Sequence, residues 1–422
     1  MRLLFLCHSH PDLQAGGTEI FSHALFRELR AHHGATAGAY LAGTSAGQRP
    51  AAPGTAFQAA GTAGDELLLW TAGFDSFHLS QTDLHGVVPD LVAFVRQLRP
   101  DVVHVHHTLQ LGVEVLPLIR RLLPEAAIVM TLHDYYAICA HDGQMCTPEG
   151  LLCASASSDA CRRCLPDRSA ADFRLRELHI RGALRAVDRF VAPSQFLRDR
   201  FVAWGIDPGR IEVIRNGLPR AERAAPRPAP DGRRDRFGFF GHINRFKGAT
   251  VALDASARLS RAGVVHGLTL HGSTAFQAED TLARFTRALD AAPDARHSGP
   301  YRRADQARLI AAVDWVIVPS IWWENAPLVI QEAFQHGRPV ICGDVGGMAE
   351  AVLDEEDGLH FPVGDAAALA QVMRRAIEEP DLWQVLADGI APPRTIAESA
   401  REHAALYSRL MQDRAVIHRS AA

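Results

Sequence analysis

Short apolar runs alternate with amphipathic stretches along most of the chain. The runs Leu3–Cys7, Val102–His106 and Ala127–Leu132 each predict a buried strand, and the apolar residues of Glu19–Arg30 recur at helical spacing. The same alternation starts again at Phe237–Phe240. Strands that alternate with helices in this way are typical of parallel sheets built from right-handed crossovers. The pattern therefore predicts two doubly wound α/β domains, with ligands bound beyond the carboxyl ends of the strands.

The two halves are joined by a stretch, Pro219–Arg236, that is rich in proline and arginine and lacks apolar periodicity. Such a composition predicts an exposed linker. We therefore expect a first domain over residues 1–217, a linker over 218–235 and a second domain over 236–394. A final helix within 395–422 is expected to pack back on the first domain.

The composition is that of an ordinary soluble protein and excludes several classes. The chain has 422 residues, of which 47% are hydrophobic and 22% charged, with a formal net charge of −4. This charge does not favour a nucleic-acid partner. No run approaches the roughly 18 apolar residues of a membrane span, and the N-terminus does not resemble a signal peptide. We expect a cytoplasmic protein with reduced thiols. Lysine and arginine total 44, yet the sequence contains a single lysine, Lys247.

The most informative segment begins where a predicted strand ends at Pro319. Glu324 and Glu332 are separated by seven residues, and Asn325 is suited to cap a helix that carries Pro327 in its first turn. One carboxylate on such a helix could accept hydrogen bonds from two vicinal hydroxyls, and the second could hold another polyol. The alternative is that Glu332 only pairs with His336 one turn later.

Two glycine-containing turns next to predicted helices suggest an anion site. Gly346 and Gly347 lie between a strand and a short helix, where backbone N–H groups favour an anion. The loop after Phe237–Phe240 adds the cations Arg245 and Lys247, a set that suits a diphosphate leaving group. Neither turn matches a Walker A loop or a dinucleotide fingerprint, which disfavours a Rossmann dehydrogenase.

Several short motifs follow one another along the chain. They are GGTE, PDVVHVHH, TLHDYY, VAPSQF, VIRNG, GHINRFKG, and ENAPLVIQE followed by GRPVICGDVGGMAE. In this order they resemble the motifs of the retaining family 4 glycosyltransferases of the GT-B fold. The resemblance covers nearly the whole chain. It implies two Rossmann-like domains that face a central cleft and a nucleotide-sugar donor bound mainly by the second domain.

The resemblance also implies roles for individual residues of the second domain. Glu332 would bind the nucleotide ribose, and Glu324 would lie near the donor sugar. Lys247 would neutralise the diphosphate, together with backbone N–H groups around Ala326, Pro327 and Leu328. Catalysis would need no metal, because the sequence contains no Asp-x-Asp.

In the first domain, the resemblance places Gly16 and Gly17 near the donor phosphates and His133 beside the sugar. One departure concerns the phosphate loop, where many family members have arginine directly after the first glycine. This chain has His242 there, and Arg245 is the candidate for the missing charge.

Five cysteines fall within a polar insertion over about 138–168. Thiols kept reduced and a segment without apolar periodicity suggest a structural zinc, which needs four ligands. The expected ligands are Cys139, Cys153, Cys161 and Cys164, with Cys146 as the alternate. Unconnected thiols and a C-x-x-C redox pair are the alternatives.

Three functional hypotheses remain open from the sequence. The first is transfer of a sugar to a glycan or lipid-linked acceptor in bacterial surface polysaccharide synthesis. The second is a nucleotide-sugar epimerase of similar architecture, and the third is a nonenzymatic nucleotide-sugar-binding protein. The arginines between Arg162 and Arg200 form either a solvated helix face or a contact with the inner face of an acidic membrane.

Overall fold

The computed structural model describes residues 1–14, 16–35, 37–61, 64–83, 86–229, 231–275 and 277–421, with side chains through residue 414. The chain forms two compact units, one of Met1–Pro219 with Arg394–Ala422 and one of Arg220–Pro393.

The first unit is built on an eight-stranded sheet in the order β10-β9-β8-β7-β1-β2-β4-β3, with a small hairpin of β5 and β6. Within the eight-stranded sheet all strand pairs are parallel except β3 with β4, and the hairpin of β5 and β6 is antiparallel. The strands are β1 (Arg2–Cys7), β2 (Ala37–Thr44), β3 (Phe57–Ala59), β4 (Glu66–Trp70), β5 (Phe74–Asp75), β6 (Ser80–Gln81), β7 (Val102–Val105), β8 (Ala127–Thr131), β9 (Arg189–Ala192) and β10 (Ile211–Val213). The helices are α1 (Gly17–His32), α2 (Val87–Leu98), α3 (Val115–Leu122), α4 (Ser158–Cys161), α5 (Ala170–Leu184) and α6 (Gln195–Ala203).

The second unit has a six-stranded, fully parallel sheet in the order β13-β12-β11-β14-β15-β16. Its strands are β11 (Arg236–Phe240), β12 (Gly267–His271), β13 (Ala295–His297), β14 (Trp315–Val318), β15 (Val340–Gly343) and β16 (Gly358–Phe361). Its helices are α7 (Ala249–Arg261), α8 (Glu279–Asp290), α9 (Gln306–Ala311), α10 (Leu328–Gln335), α11 (Gly346–Ala351), α12 (Ala366–Glu378) and α13 (Leu382–Gly389). The prediction of two parallel-sheet α/β domains is thus confirmed.

The central strands of both sheets are buried on both faces, which explains their continuous apolar runs. All residues of β7, β8, β14 and β15 are buried. The last helix, α14 (Ile396–Ala421), belongs to the first unit. Its Leu406, Tyr407 and Leu410 join the core beneath β1. No helix among the described residues is long and apolar enough to cross a membrane.

The hydrophobic pattern did not predict two strands of the first sheet, β2 and β4. Strand β2 reads AGAYLAGT, and its small residues carry little strand preference. Strand β4 reads ELLLW, which is also compatible with a helix. Both strands form because β2 pairs in parallel with β1, and β4 in turn pairs in parallel with β2. Tertiary pairing therefore overrides local preference here.

The segment expected to be an exposed linker is anchored on the second unit. Asp314, whose side chain is fully buried, accepts hydrogen bonds from Arg227 at 2.7 Å and Arg234 at 3.2 Å. The indole of Trp315 donates to the carbonyl of Arg234 at 2.8 Å. The segment is exposed over most of its length, as expected, but its arginines also pair with a buried carboxylate, a contact that periodicity cannot reveal.

Candidate active site

In the second unit, the loop between β11 and α7 is shaped by its own side chains. The Asn244 side-chain oxygen accepts the backbone N–H groups of Phe246 at 3.0 Å and Lys247 at 2.9 Å. Gly248 has φ +70°, and a Cβ there would lie 1.8 Å from the carbonyl oxygen of Pro319. Only glycine fits this position. The close approach brings Lys247 beside the chain that leaves β14.

Lys247 contacts Glu324 directly. Its Nζ lies 2.6 Å from Oε1 of Glu324, and the same oxygen accepts hydrogen bonds from Ser320 at 2.7 Å and the Trp322 indole at 2.9 Å. The Glu324 side chain is 7% exposed and that of Lys247 is 31% exposed. Burial opposes ionisation of Glu324, but the Lys247 charge and the hydrogen bonds outweigh it and lower the Glu324 pKa. Glu324 is therefore a carboxylate at neutral pH.

Aromatic rings pack around this ion pair. The Nζ of Lys247 lies 5.5 Å from the centre of the Trp322 ring, within the range of a cation–π contact, and Phe246 packs on Trp322 at 6.3 Å. Arg245 lies over Phe246 at 5.9 Å, and His242 is exposed. Trp322 thus orients Glu324 and flanks Lys247, a role that its position in the sequence did not reveal.

Glu332 lies on α10 with partners that the sequence did not indicate. Its carboxylate accepts from Gln306 at 2.5 Å and from Arg303 at 3.5 Å. Burial raises the pKa of Glu332, and the two partners oppose that rise. The alternative pairing with His336 is wrong, because the His336 ring accepts the backbone N–H of Ala224 instead. Arg303 and Gln306 belong to a turn and helix whose sequence carries no motif, so only the fold places them here.

Two expectations about backbone geometry are corrected. Helix α10 begins at Leu328 with Pro327 at its N-cap and no side-chain cap, so Asn325 does not cap it. The N–H of Gly347 donates to the carbonyl of Glu324 at 2.7 Å and is therefore not available to an anion. A Cβ on Gly347 would lie 1.8 Å from the carbonyl oxygen of Asn325. The glycine allows close packing that fixes the backbone carrying Glu324, and Gly346 precedes it with φ +62°.

In the first unit, His133 follows β8 within a cluster of buried histidines. Its Nε2 lies 2.9 Å from Nδ1 of His106. Behind it, His104 bonds Thr131 at 2.7 Å and the Tyr407 hydroxyl at 2.6 Å. Burial is the largest cause that lowers the pKa of His133, to about 3. The imidazole is therefore neutral at pH 7 and can act through hydrogen bonds but not through charge.

The residues flanking His133 are held firmly. Asp134 pairs with His107 at 2.7 Å. Burial alone would raise the pKa of Asp134, but the charge and hydrogen bond of His107 outweigh burial and lower the pKa to about 2. Gly16 is the N-cap of α1 with ordinary extended angles, and a Cβ there would lie 2.5 Å from a carboxylate oxygen of Glu19. Gly17 is the first residue of α1. Glycine at position 16 is therefore explained by the Glu19 side chain, which occupies the space that a Cβ would need.

Two clusters in the first unit have ligand-type side chains. The five cysteines of the insertion line one cavity. Separately, His10, His23 and Glu66 offer ligand atoms within 4.8 Å of one another, a cluster that the sequence did not indicate. Arg27 donates to the Glu66 oxygen that also contacts His23, at 3.1 Å and 3.0 Å respectively. The Arg27 guanidinium would repel a metal ion bound to this Glu66 oxygen. The cluster is instead explained by the contacts of Glu66 with Arg27 and the two histidines.

Two family models match the chain: Glycosyltransferase Family 4 over residues 15–222 and Glycosyl transferases group 1 over residues 234–379. The chain belongs to the family 4 glycosyltransferases. This confirms the resemblance inferred from the motifs, and the matched ranges cover most of both units.

Curated relatives share about 30% identity over part of their length. The D-inositol 3-phosphate glycosyltransferase of Kineococcus radiotolerans is 30% identical over 266 residues, 55% of this chain and 59% of that protein. The enzyme of the same name from Mycolicibacterium gilvum is 33% identical over 48% of this chain and 44% of that protein. A Mycobacterium tuberculosis glycogen synthase is 28% identical over 47% of each. The chain thus spans about half the length of the curated relatives that it matches.

Solved structures of low identity share the GT-B fold with this glycosyltransferase family member. Anabaena Alr3699/HepE, solved in complex with UDP and glucose, aligns over 100% of both chains with a TM-score of 0.61 and 20% identity. The catalytic domain of Arabidopsis thaliana starch synthase IV, bound to ADP and acarbose, aligns over 98% of this chain and 99% of that one. Its TM-score is 0.67 at 15% identity. The predicted fold class is therefore confirmed.

The depressed pKa of His133 predicts a pH-dependent stability. Between a folded pKa of about 3 and the ordinary value of 6.5, the unfolded state binds more protons, so stability falls as pH drops below about 6.5. His133→Gln should lessen this loss by about 1–3 kcal/mol between about pH 7 and pH 4. Urea unfolding across this range measures the effect. The exposed His32→Gln is the matched control and should follow the wild type; a His133→Gln curve parallel to the wild type would contradict the assignment.

Proposed function

We propose that this protein transfers a sugar, with retention of anomeric configuration, from a nucleoside diphosphate sugar to an acceptor hydroxyl. The observation that carries the proposal is the Lys247–Glu324 contact at 2.6 Å. It places a cation and a carboxylate where two neighbouring parallel strands end, which is where α/β sheets bind ligands. No metal is needed in this scheme, because protein groups stabilise the leaving group. Retention is supported by the motif resemblance.

Lys247 is the proposed electrostatic partner of the diphosphate. Charge grows on the leaving group as the glycosidic bond breaks, so a cation there stabilises the transition state more than the ground state. Arg245 on the same loop and the backbone N–H groups of Ala326 and Leu328 would assist. Pro327 shapes that turn but has no N–H to offer.

Glu324 is proposed to hold the donor sugar. Among the described residues, its three donors all reach Oε1, which leaves Oε2 for sugar hydroxyls. The donors fix the carboxylate before substrate arrives, and such pre-organisation lowers the cost of binding. Ser320 and Trp322 are therefore positioning residues for Glu324.

Glu332 is proposed to bind the nucleotide ribose. Gln306 and Arg303 hold its buried carboxylate in one orientation, and a carboxylate can accept two vicinal hydroxyls at once. Solved structures of similar fold were obtained with UDP or ADP, which supports a nucleoside diphosphate as the leaving group.

The first unit is proposed to contribute His133 to recognition of the sugar. A neutral ring would hydrogen-bond a hydroxyl without adding charge at the reacting carbon. Gly16 and Gly17 would let the start of α1 come close to the donor phosphates. Epimerisation and nonenzymatic binding are the competing outcomes of the assays below.

The proposed acceptor is a glycan or lipid-linked intermediate of bacterial surface polysaccharide. Helix α5 supports a peripheral contact with the inner face of a membrane, because Leu175 and Leu178 are 59% and 71% exposed. Arg174 and Arg185 on this helix segment are also exposed. Exposed leucines next to arginines suit an anionic lipid surface.

Replacement of Lys247 tests the catalytic proposal. Wild-type protein incubated with a panel of nucleotide sugars should release nucleoside diphosphate, and an acceptor should receive the sugar with retained configuration by anomeric NMR. Lys247→Ala should lower this turnover by at least about 10²-fold, whereas the exposed Arg258→Ala on α7 should not. Near-normal turnover would instead assign the phosphate to Arg245 or His242. An isomerised donor without acceptor would identify an epimerase, and binding without turnover a nonenzymatic protein.

Replacement of Glu332 tests the ribose site. Glu332→Ala should weaken nucleoside diphosphate binding by about 1–3 kcal/mol, because two ribose hydroxyls lose their acceptor. Isothermal titration calorimetry with UDP, ADP and GDP measures this loss. The control Glu378→Ala removes an exposed carboxylate from α12 and should bind normally. Unchanged affinity in Glu332→Ala would show that the ribose binds elsewhere.

A further inference from the structure

The insertion that follows β8 gathers sulfur atoms around one small cavity of about 50 Å³. Every cysteine of the insertion lines it, and all are free thiols. The five are Cys139, Cys146, Cys153, Cys161 and Cys164. The whole chain has seven cysteines, and five of them therefore lie around this one cavity.

The insertion has little regular structure of its own. Between Cys139 and Cys164 it contains the four-residue helix α4 and a single bridge that pairs Cys146 with Leu152. Leu151 is 69% exposed. A segment with so few ladder hydrogen bonds and so little buried apolar surface needs another source of order.

A buried arginine beside the cysteines points to negative charge in the same place. Arg176 is 3% exposed, and within the described part of the chain its guanidinium donates to backbone carbonyls. The acceptors are those of Phe77, Tyr136, Ala137 and Ile138. Carbonyl oxygens satisfy its hydrogen bonds but do not neutralise its charge, and a buried cation requires an anionic partner.

Thiolates are well placed to supply that charge. Burial lowers the pKa of Arg176 to about 10, and negative charge on Cys139 and Cys161, together with that of the Asp75 and Glu177 carboxylates, opposes this shift. The four sulfurs line the same cavity, so thiolates there would repel one another, and a divalent cation would remove that repulsion.

We propose that Cys139, Cys153, Cys161 and Cys164 bind one zinc ion as thiolates, with Arg176 compensating the net negative charge. Each thiol gives up its proton on binding, so one Zn²⁺ replaces four protons and leaves a site of charge −2. Cys146 remains a buried thiol that donates to the carbonyl of Thr147 at 3.5 Å.

Metal binding would draw the sulfurs inward. Among the described residues, His10, His23 and Glu66 form the group whose three ligand atoms all lie within 4.8 Å of one another, and no group of three cysteine sulfurs is this close. The cysteine sulfurs therefore surround the cavity at larger separations, whereas four thiolates on one zinc lie about 2.3 Å from the metal. The sparse regular structure of the insertion permits this closure.

The site would also order the chain beside His133. Arg176 donates to the carbonyls of Tyr136 and Ala137, which come shortly after His133 and Asp134, with Tyr135 between. Phe77, in the turn between β5 and β6, accepts from Arg176 at 2.6 Å. Zinc is thus inferred to stabilise the segment that carries His133, without contacting substrate.

Elemental analysis of the full-length protein, purified without chelator, tests the proposal. Wild type should contain about one zinc per chain, and Cys161→Ser/Cys164→Ser should contain at least about tenfold less. The matched control Cys146→Ala should retain the metal. After chelation, cobalt should restore the d–d and thiolate charge-transfer bands of a tetrahedral thiolate site in wild type, which keeps the test valid if the double variant does not fold.

Three results would overturn the proposal. The first is wild-type protein with less than about a tenth of a zinc per chain and no cobalt thiolate bands. The second is full zinc content in the double variant. The third is a Cys161–Cys164 disulfide in protein prepared without oxidant, which would assign the pair to redox chemistry.

Discussion

The Lys247–Glu324 ion pair joins the loops that follow two neighbouring strands, β11 and β14. A buried carboxylate requires a compensating charge, and much of the local structure supplies or positions it. Asn244 shapes the loop between β11 and α7, Gly248 lets this loop approach Pro319, and Gly347 holds the backbone of Glu324. The site is therefore organised before any ligand binds, as electrostatic catalysis requires.

The first unit contrasts with this charged site. His133 is half-buried, and His104 and His106 behind it are fully buried. All three are uncharged, because burial lowers their pKa values, and hydrogen bonds link them to one another, to Thr131 and to Tyr407 of the last helix. Helix α14 thus completes the support of the β8 end after the chain has passed through the second unit.

Much of the fold was predictable because buried parallel strands such as β7, β8, β14 and β15 are uniformly apolar. The glycosyltransferase motifs indicated Lys247, Glu324 and Glu332 as candidate site residues because spacing within one loop or helix is a local property. The partners of these residues were not predictable. Arg303 and Gln306 reach Glu332 from a distant part of the chain, and the role of Gly347 depends on a backbone contact with Glu324. These contacts join residues that are distant in the sequence, so they can be recognised only when the arrangement of the strands is known.

The most direct test of the ion pair's role is a double-mutant cycle on donor turnover with Lys247→Ala, Glu324→Gln and the double variant. Because the two side chains contact each other, their effects should not add. The double variant should be no more than about threefold slower than the slower single variant, with a coupling free energy of at least about 1 kcal/mol. Additive losses, in which the double variant shows the product of the two single effects, would contradict a functional unit built on this pair.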